Sequence, residues 1–135
     1  MSRLVQVYEA VTENVVVRVR PTYLPQQSDP DGRRWVWAYA IEIENLRPEA
    51  VQLLARHWTI TDALGRTEEV RGPGVVGEQP VIPPDGVHRY ASGCPLSTPS
   101  GSMVGTYSMA DATGRVFTVA IPAFSLDSET PRQVN

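Results

Sequence analysis

The sequence predicts an all-β protein, a sandwich of two antiparallel sheets, on two observations. Apolar and polar residues alternate with period two through one run after another, most plainly from Arg34 to Asn45, as side chains do on the two faces of a strand. Twelve prolines and ten glycines in 135 residues interrupt helices and suit many short strands joined by turns. The length corresponds to one domain, and a hydrophobic content of 41% is enough to fill the space between two sheets. About seven to eight antiparallel strands are expected at this spacing of turns. Residues 1–126 are read as a single domain and 127–135 as a polar C-terminal tail.

Leu4 to Ala10 and Asn14 to Arg20 alternate and are joined by a turn at Thr12-Glu13-Asn14. In the second run Val15, Val17 and Val19 share a face. Pro21 to Gly32 carries three prolines and reads as a loop, whose Tyr23-Leu24 pair should pack back onto the domain. Arg34 to Asn45 is the strongest strand: Trp35, Trp37, Tyr39, Ile41 and Ile43 form its core face, opposite a small and then acidic face. Val51 to Thr61 follows, with Gln52, Leu54, Arg56, Trp58 and Ile60 expected on one side. A helix competes there, but the β-branched residues after Trp58 and the tight Asp62-Ala63-Leu64-Gly65 turn favour a strand.

Thr67 to Val70 returns as a strand into a glycine-spaced loop, Gly72 to Gly77, and then Glu78-Gln79-Pro80. Val87 to Ser92 is a strand, Cys94 to Gly101 is irregular, and Ser102 to Asp111 alternates with Met103, Gly105, Tyr107 and Met109 on one side. The turn Asp111-Ala112-Thr113-Gly114 repeats the D-A-x-G pattern of Asp62. Arg115 to Ile121 returns, and Pro122, Phe124 and Leu126 extend the last strand.

The net charge is −3 and the charges are scattered, which disfavours a broad nucleic-acid surface. A single cysteine, Cys94, permits no internal disulfide and fits a reducing compartment. No run has the length of a signal peptide or membrane span, so a cytoplasmic protein with no membrane insertion is expected.

The loop glycines Gly72, Gly74 and Gly77 match G-x-G-x-x-G. In a dinucleotide fold this pattern must open a helix inside a βαβ unit, and Val75-Val76 followed by Gln79-Pro80 does not begin one. Two readings remain: backbone N–H groups turned toward a small anion, or glycines that let a loop pack tightly. His57, His88 and Cys94 are too few for a zinc site without recruited carboxylates, so no metal and no cofactor is expected. The serines lack a nucleophile elbow, and the acids fall mostly in turns, which leaves no catalytic set. On the strand face, Arg56 either presents its fork to an anion or partner, with Trp58 as an anchor, or forms a salt bridge to Glu68 or Glu69 with Trp58 in the core; the second is favoured.

The runs RHWTITDALGRTEEVRGPGVVGEQPVIPPDG, RYASGCPLSTPSGSMVGTYSM and FTVAIPAFSL, with the earlier YLPQQSDP and WVWAYAIEIEN, closely resemble the ApaG (CorD) protein family over residues 4 to 126. The resemblance implies a fibronectin type III-like or immunoglobulin-like β-sandwich. It also implies kinship with domains in eukaryotic F-box proteins and a polymerase-interacting protein, where they serve protein association, and a link to cobalt resistance and magnesium efflux. The matching positions include Arg56, His57, Trp58, Gly72, Gly74, Gly77, Glu78, Gln79 and Tyr90.

The expected function is a non-enzymatic protein-interaction module that presents the loop Gly72, Gly74, Gly77, Glu78 and Gln79 with Arg56, His57, Trp58 and Tyr90 as anchors. A homodimer is consistent with edge-prone strands. The alternative is a nucleotide-phosphate or other small-anion binding protein that uses the amides of Gly72 to Gly77.

Overall fold

A computed structural model describes residues 6–128 of the chain. The described residues form nine strands: β1 (Tyr8–Thr12), β2 (Val15–Tyr23), β3 (Trp35–Asn45), β4 (Val51–Asp62), β5 (Thr67–Pro73), β6 (Val81–Ile82), β7 (Val87–Leu96), β8 (Ser100–Ala110) and β9 (Val116–Asp127). One sheet has the order β1-β2-β3-β7 and the other β5-β4-β8-β9, with β6 also paired to β4. All pairings are antiparallel. This is the expected fibronectin type III/immunoglobulin-like sandwich. Among the described residues no helix is long and apolar enough to cross a membrane.

The inner faces follow the alternation. Val15, Val17 and Val19 are fully buried, as are Ile43, Leu53, Tyr107 and Met109. Trp37, Tyr39 and Ile41 are buried beside them, and the Trp58 ring meets Tyr39 edge-on at 5.4 Å and Phe124 at 5.9 Å, the arrangement favoured by ring quadrupoles. Tyr23 packs on Trp37 at 5.5 Å, as its apolar character demanded.

Several boundaries differ from the sequence reading. β2 continues through Pro21 to Tyr23, so the loop starts later and consists largely of short 3-10 turns at Pro25–Gln27 and Pro30–Gly32. β7 runs on to Leu96 because Cys94, Pro95 and Leu96 stay in register with Trp37, Val36 and Trp35. β5 absorbs Gly72 and Pro73. Asp127 closes β9 rather than opening the tail; residues 129–135 of the expected tail, and Leu4 with Val5 of the expected first strand, lie outside the described residues.

The largest correction concerns β4, whose register against β8 shifts between Leu53 and Ala55. Val51 and Leu53 face the core before that point, and Trp58 faces it afterwards. One extra residue in a strand reverses the side on which every later side chain falls. Leu54 is that residue, so Gln52 and Arg56 do not share a continuous face as the uniform alternation implied.

Polar groups pin the ends. The Asp62 carboxylate accepts from the Leu64 and Arg66 amides at 2.9 and 3.0 Å. Asp111 repeats this with Thr113 and Arg115 at 2.9 and 3.1 Å. The repeated D-A-x-G stretch is therefore one hairpin device used twice, each closed by a glycine at positive φ, Gly65 and Gly114. Asn45, fully buried, donates to the carbonyls of Glu49 (2.9 Å) and Ile82 (3.0 Å) and accepts from the Arg47 amide (2.9 Å), which ties β6 to the end of β3.

Candidate functional site

Because β5 and β6 lie on the same edge of β4, the segment from Gly74 to Pro80 is an excursion from that edge. It folds as a miniature hairpin. Val75 and Glu78 exchange backbone hydrogen bonds of 2.8 and 3.0 Å, leaving only Val76 and Gly77 in the turn. Both have positive φ, 47° and 79°, the conformation of a type I′ turn, where Asn-Gly is the preferred pair. Gly77 suits it; Val76, branched at Cβ, does not.

The base of this hairpin is held firmly. Val75 is buried in the core. Gly74 sits at φ +59°, and a Cβ there would overlap the Glu78 carbonyl oxygen. The Leu54 carbonyl, left out of the β4–β8 register by the bulge, accepts from the Gly74 amide at 2.8 Å and from Gln79 Nε2 at 2.9 Å. Gln52 Nε2 donates to the Gln79 carbonyl at 3.1 Å. Arg56 Nη1 donates to the carbonyls of Pro73 and Gly74 at 3.0 and 2.9 Å. Above this base Val76 stands 64% exposed.

The structure thus brings Gly72, Gly74, Gly77, Glu78, Gln79 and Arg56 into one assembly and separates the other candidates. Arg56 forms no salt bridge to Glu68 or Glu69, contrary to expectation; its fork is turned to the two carbonyls and stacks over Gly72. His57 is on the opposite face of β4, with Nε2 2.7 Å from Glu69, which also accepts from Arg71 at 3.3 Å. The His57 hydrogen bond, and then the Arg71 guanidinium, hold the Glu69 carboxyl below its usual range.

Trp58 is buried and so cannot be a surface anchor. Tyr90 is half-buried, its hydroxyl bonded to that of Tyr107, and burial pushes both phenols upward. Of the remaining soft groups, the His88 ring lies 6.1 Å from that of Tyr90, and Cys94 is buried in the core, which pushes its thiol up to about 11. Among the described residues no group of three or more His, Cys, Asp or Glu side chains is placed to hold a metal ion.

As an anion nest, the loop loses donors to its own fold. The Gly74, Val75 and Glu78 amides are all bonded to carbonyls. Val76 and the Leu54 carbonyl were missed from sequence. The one signal for the turn was Gly77 at its second position, and a valine before it argues against a type I′ turn.

The ApaG domain matches residues 25–111. Protein ApaG of Mesorhizobium japonicum is 59% identical over 129 residues, covering 95% of this chain and 99% of the relative. Protein ApaG of Rhodospirillum centenum is 61% identical over 121 residues, covering 90% and 93%. A crystal structure from Bordetella pertussis, 43% identical, superimposes with a TM-score of 0.84 over 96% of this chain and all of that one. With this identity along nearly its whole length and the same sandwich, the chain belongs to the ApaG family.

Proposed function

We propose that the chain is a non-enzymatic protein-interaction module whose contact element is the hairpin Gly74–Gln79. The observation that carries this reading is Val76. It combines an exposed apolar side chain with a left-handed backbone, a conformation that costs about 1–2 kcal/mol for a branched residue. Neither feature helps the isolated protein, whereas a partner with an apolar pocket would bury the side chain that the left-handed turn holds out. The hairpin's base, tied through Leu54, Arg56 and Val75, presents the tip pre-organised, so little ordering entropy opposes binding. Glu78, Gln79 and Gly77 form its polar surround. The link to cobalt resistance and magnesium efflux is assigned to such a partner rather than to a metal bound by this chain.

The test uses Val76→Asn, which creates the preferred Asn-Gly turn. It should leave the thermal midpoint unchanged or raised while reducing affinity capture of the host partner at least tenfold. Undiminished capture by this variant and by Glu78→Arg would remove the hairpin from the function.

A further inference from the structure

Among the described residues, β7 is the one sheet-edge strand that is both long and unguarded. On the opposite flank β9 is covered by β1: the Ala120 amide donates to Thr12 Oγ1 at 3.1 Å and the Ser125 amide to the Tyr8 hydroxyl at 3.4 Å. β5 carries Glu68, Glu69 and Arg71 within its seven residues, charges of the kind that deter further pairing. β7 has ten residues, VHRYASGCPL, and Arg89 is its only strongly charged side chain. Arg89 is already paired with Glu42 of the same sheet at 3.0 Å. In the middle of the strand Ala91, Ser92 and Gly93 are all exposed.

The phase of the ladder shows which backbone groups are free. The Asn45 amide donates to the Gly86 carbonyl, and on the other side of β3 the Leu46 amide donates to Asn14. Hydrogen-bonded pairs alternate along an antiparallel ladder. Tyr90 and Ser92 therefore exchange bonds with Ile41 and Tyr39, while Val87, Arg89, Ala91 and Gly93 turn their N–H and C=O groups outward. Pro95, which has no N–H to lose, falls in the same outward phase.

We infer that this edge pairs with β7 of a second copy of the chain, antiparallel about a two-fold axis at Ala91, making one continuous sheet across the dimer. The sequence is self-complementary in this register. Ala91 meets Ala91 of the second copy, Arg89 meets Gly93, and the Val87 amide meets the Pro95 carbonyl. Each long arginine thus lies opposite a residue with no side chain and keeps its own Glu42, so no like charges face each other. The isologous arrangement closes at two copies, and no edge of β7 is left to propagate. This interface is separate from the Val76 hairpin and does not depend on it.

Sedimentation of the full chain from micromolar to several hundred micromolar should show a monomer–dimer equilibrium. Ala91→Pro removes one outward N–H and none that β3 uses; it should weaken the dimer at least tenfold with the thermal midpoint of the dilute protein nearly unchanged. In Ala91→Cys the two thiols lie on one face across a hydrogen-bonded pair, with Cα atoms about 5.5 Å apart and Cβ atoms wider than a disulfide prefers, so a short bismaleimide should give a covalent dimer. Ala120→Cys on the covered β9 edge should not. A wild-type chain that stays monomeric at several hundred micromolar, with no cross-linking of Ala91→Cys, overturns the inference, as it would if this edge served only a foreign extended peptide.

Discussion

The guanidinium of Arg56 lies flat against Gly72 across the β4–β5 ladder, so close that a Cβ on the glycine would meet Nη1 and Nη2 at 3.0 Å and Cζ at 3.1 Å. The same fork spans the carbonyls of Pro73 and Gly74. Gly72 therefore holds the hairpin in place by leaving room for the arginine, not by adopting an unusual backbone conformation.

Gly72→Ala should push Arg56 off those carbonyls. A hydrogen bond from a charged donor contributes about 1.5–3 kcal/mol, and we expect a loss of about 2 kcal/mol in urea unfolding. Amide exchange should rise selectively across residues 73–79. Arg56→Lys should show a similar loss, because an ammonium cannot reproduce the planar stack.

Asn45→Ala should be among the most damaging single changes. It strips the bonds to the Glu49 and Ile82 carbonyls and to the Arg47 amide from a fully buried site. Unsatisfied buried groups cost about 1–3 kcal/mol each, so a destabilisation of about 3 kcal/mol is expected, read as a lower urea midpoint with an unchanged slope.

The hairpin aspartates predict acid sensitivity. Hydrogen bonds from the Thr113 hydroxyl foremost, and from the Thr113 and Arg115 amides, outweigh burial and hold Asp111 down at about 2. At Asp62 burial pulls upward, but the Arg66 amide and guanidinium and the Leu64 amide overcome it, and the net shift is downward. A carboxyl depressed in the folded state stabilises the fold above its unfolded value, about 3.9, and that contribution is lost as pH falls toward the folded value. Stability should drop between about pH 4 and pH 2. Asp111→Asn should flatten that limb of the pH profile.

Cys94 should be inert in the native protein. It is 3% exposed, and burial, reinforced by the Glu68 charge, raises its thiol to about 11. A thiol-specific reagent at pH 8 should label it only after denaturant is added, since the thiolate is the reacting form. Rapid native labelling would show that the strand end at Pro95–Leu96 opens.

Much of the frame was legible because it depends on local pattern. The β3 alternation places Trp37, Tyr39, Ile41 and Ile43 inward, as read, and both D-A-x-G stretches turn where they were expected to. The site was less legible. The glycine spacing pointed to the right segment, but the roles within it came out differently: Gly72 is part of a strand, Gly74 admits a carbonyl, and Gly77 completes a two-residue turn whose other member is Val76.

What the sequence by itself determined is the class of fold and the side of most strands that faces the interior, since a period of two and a turn-forming residue act over a few neighbours. Only tertiary structure decided where Leu54 slips out of register, which carbonyls Arg56 reaches, and which edge is left uncovered. Each of these depends on the strand lying alongside, which can be far away in the chain, as Thr12 is 108 residues from Ala120. Alternation records which side of a strand is apolar; its pairing partner decides which backbone groups remain free to bind something else.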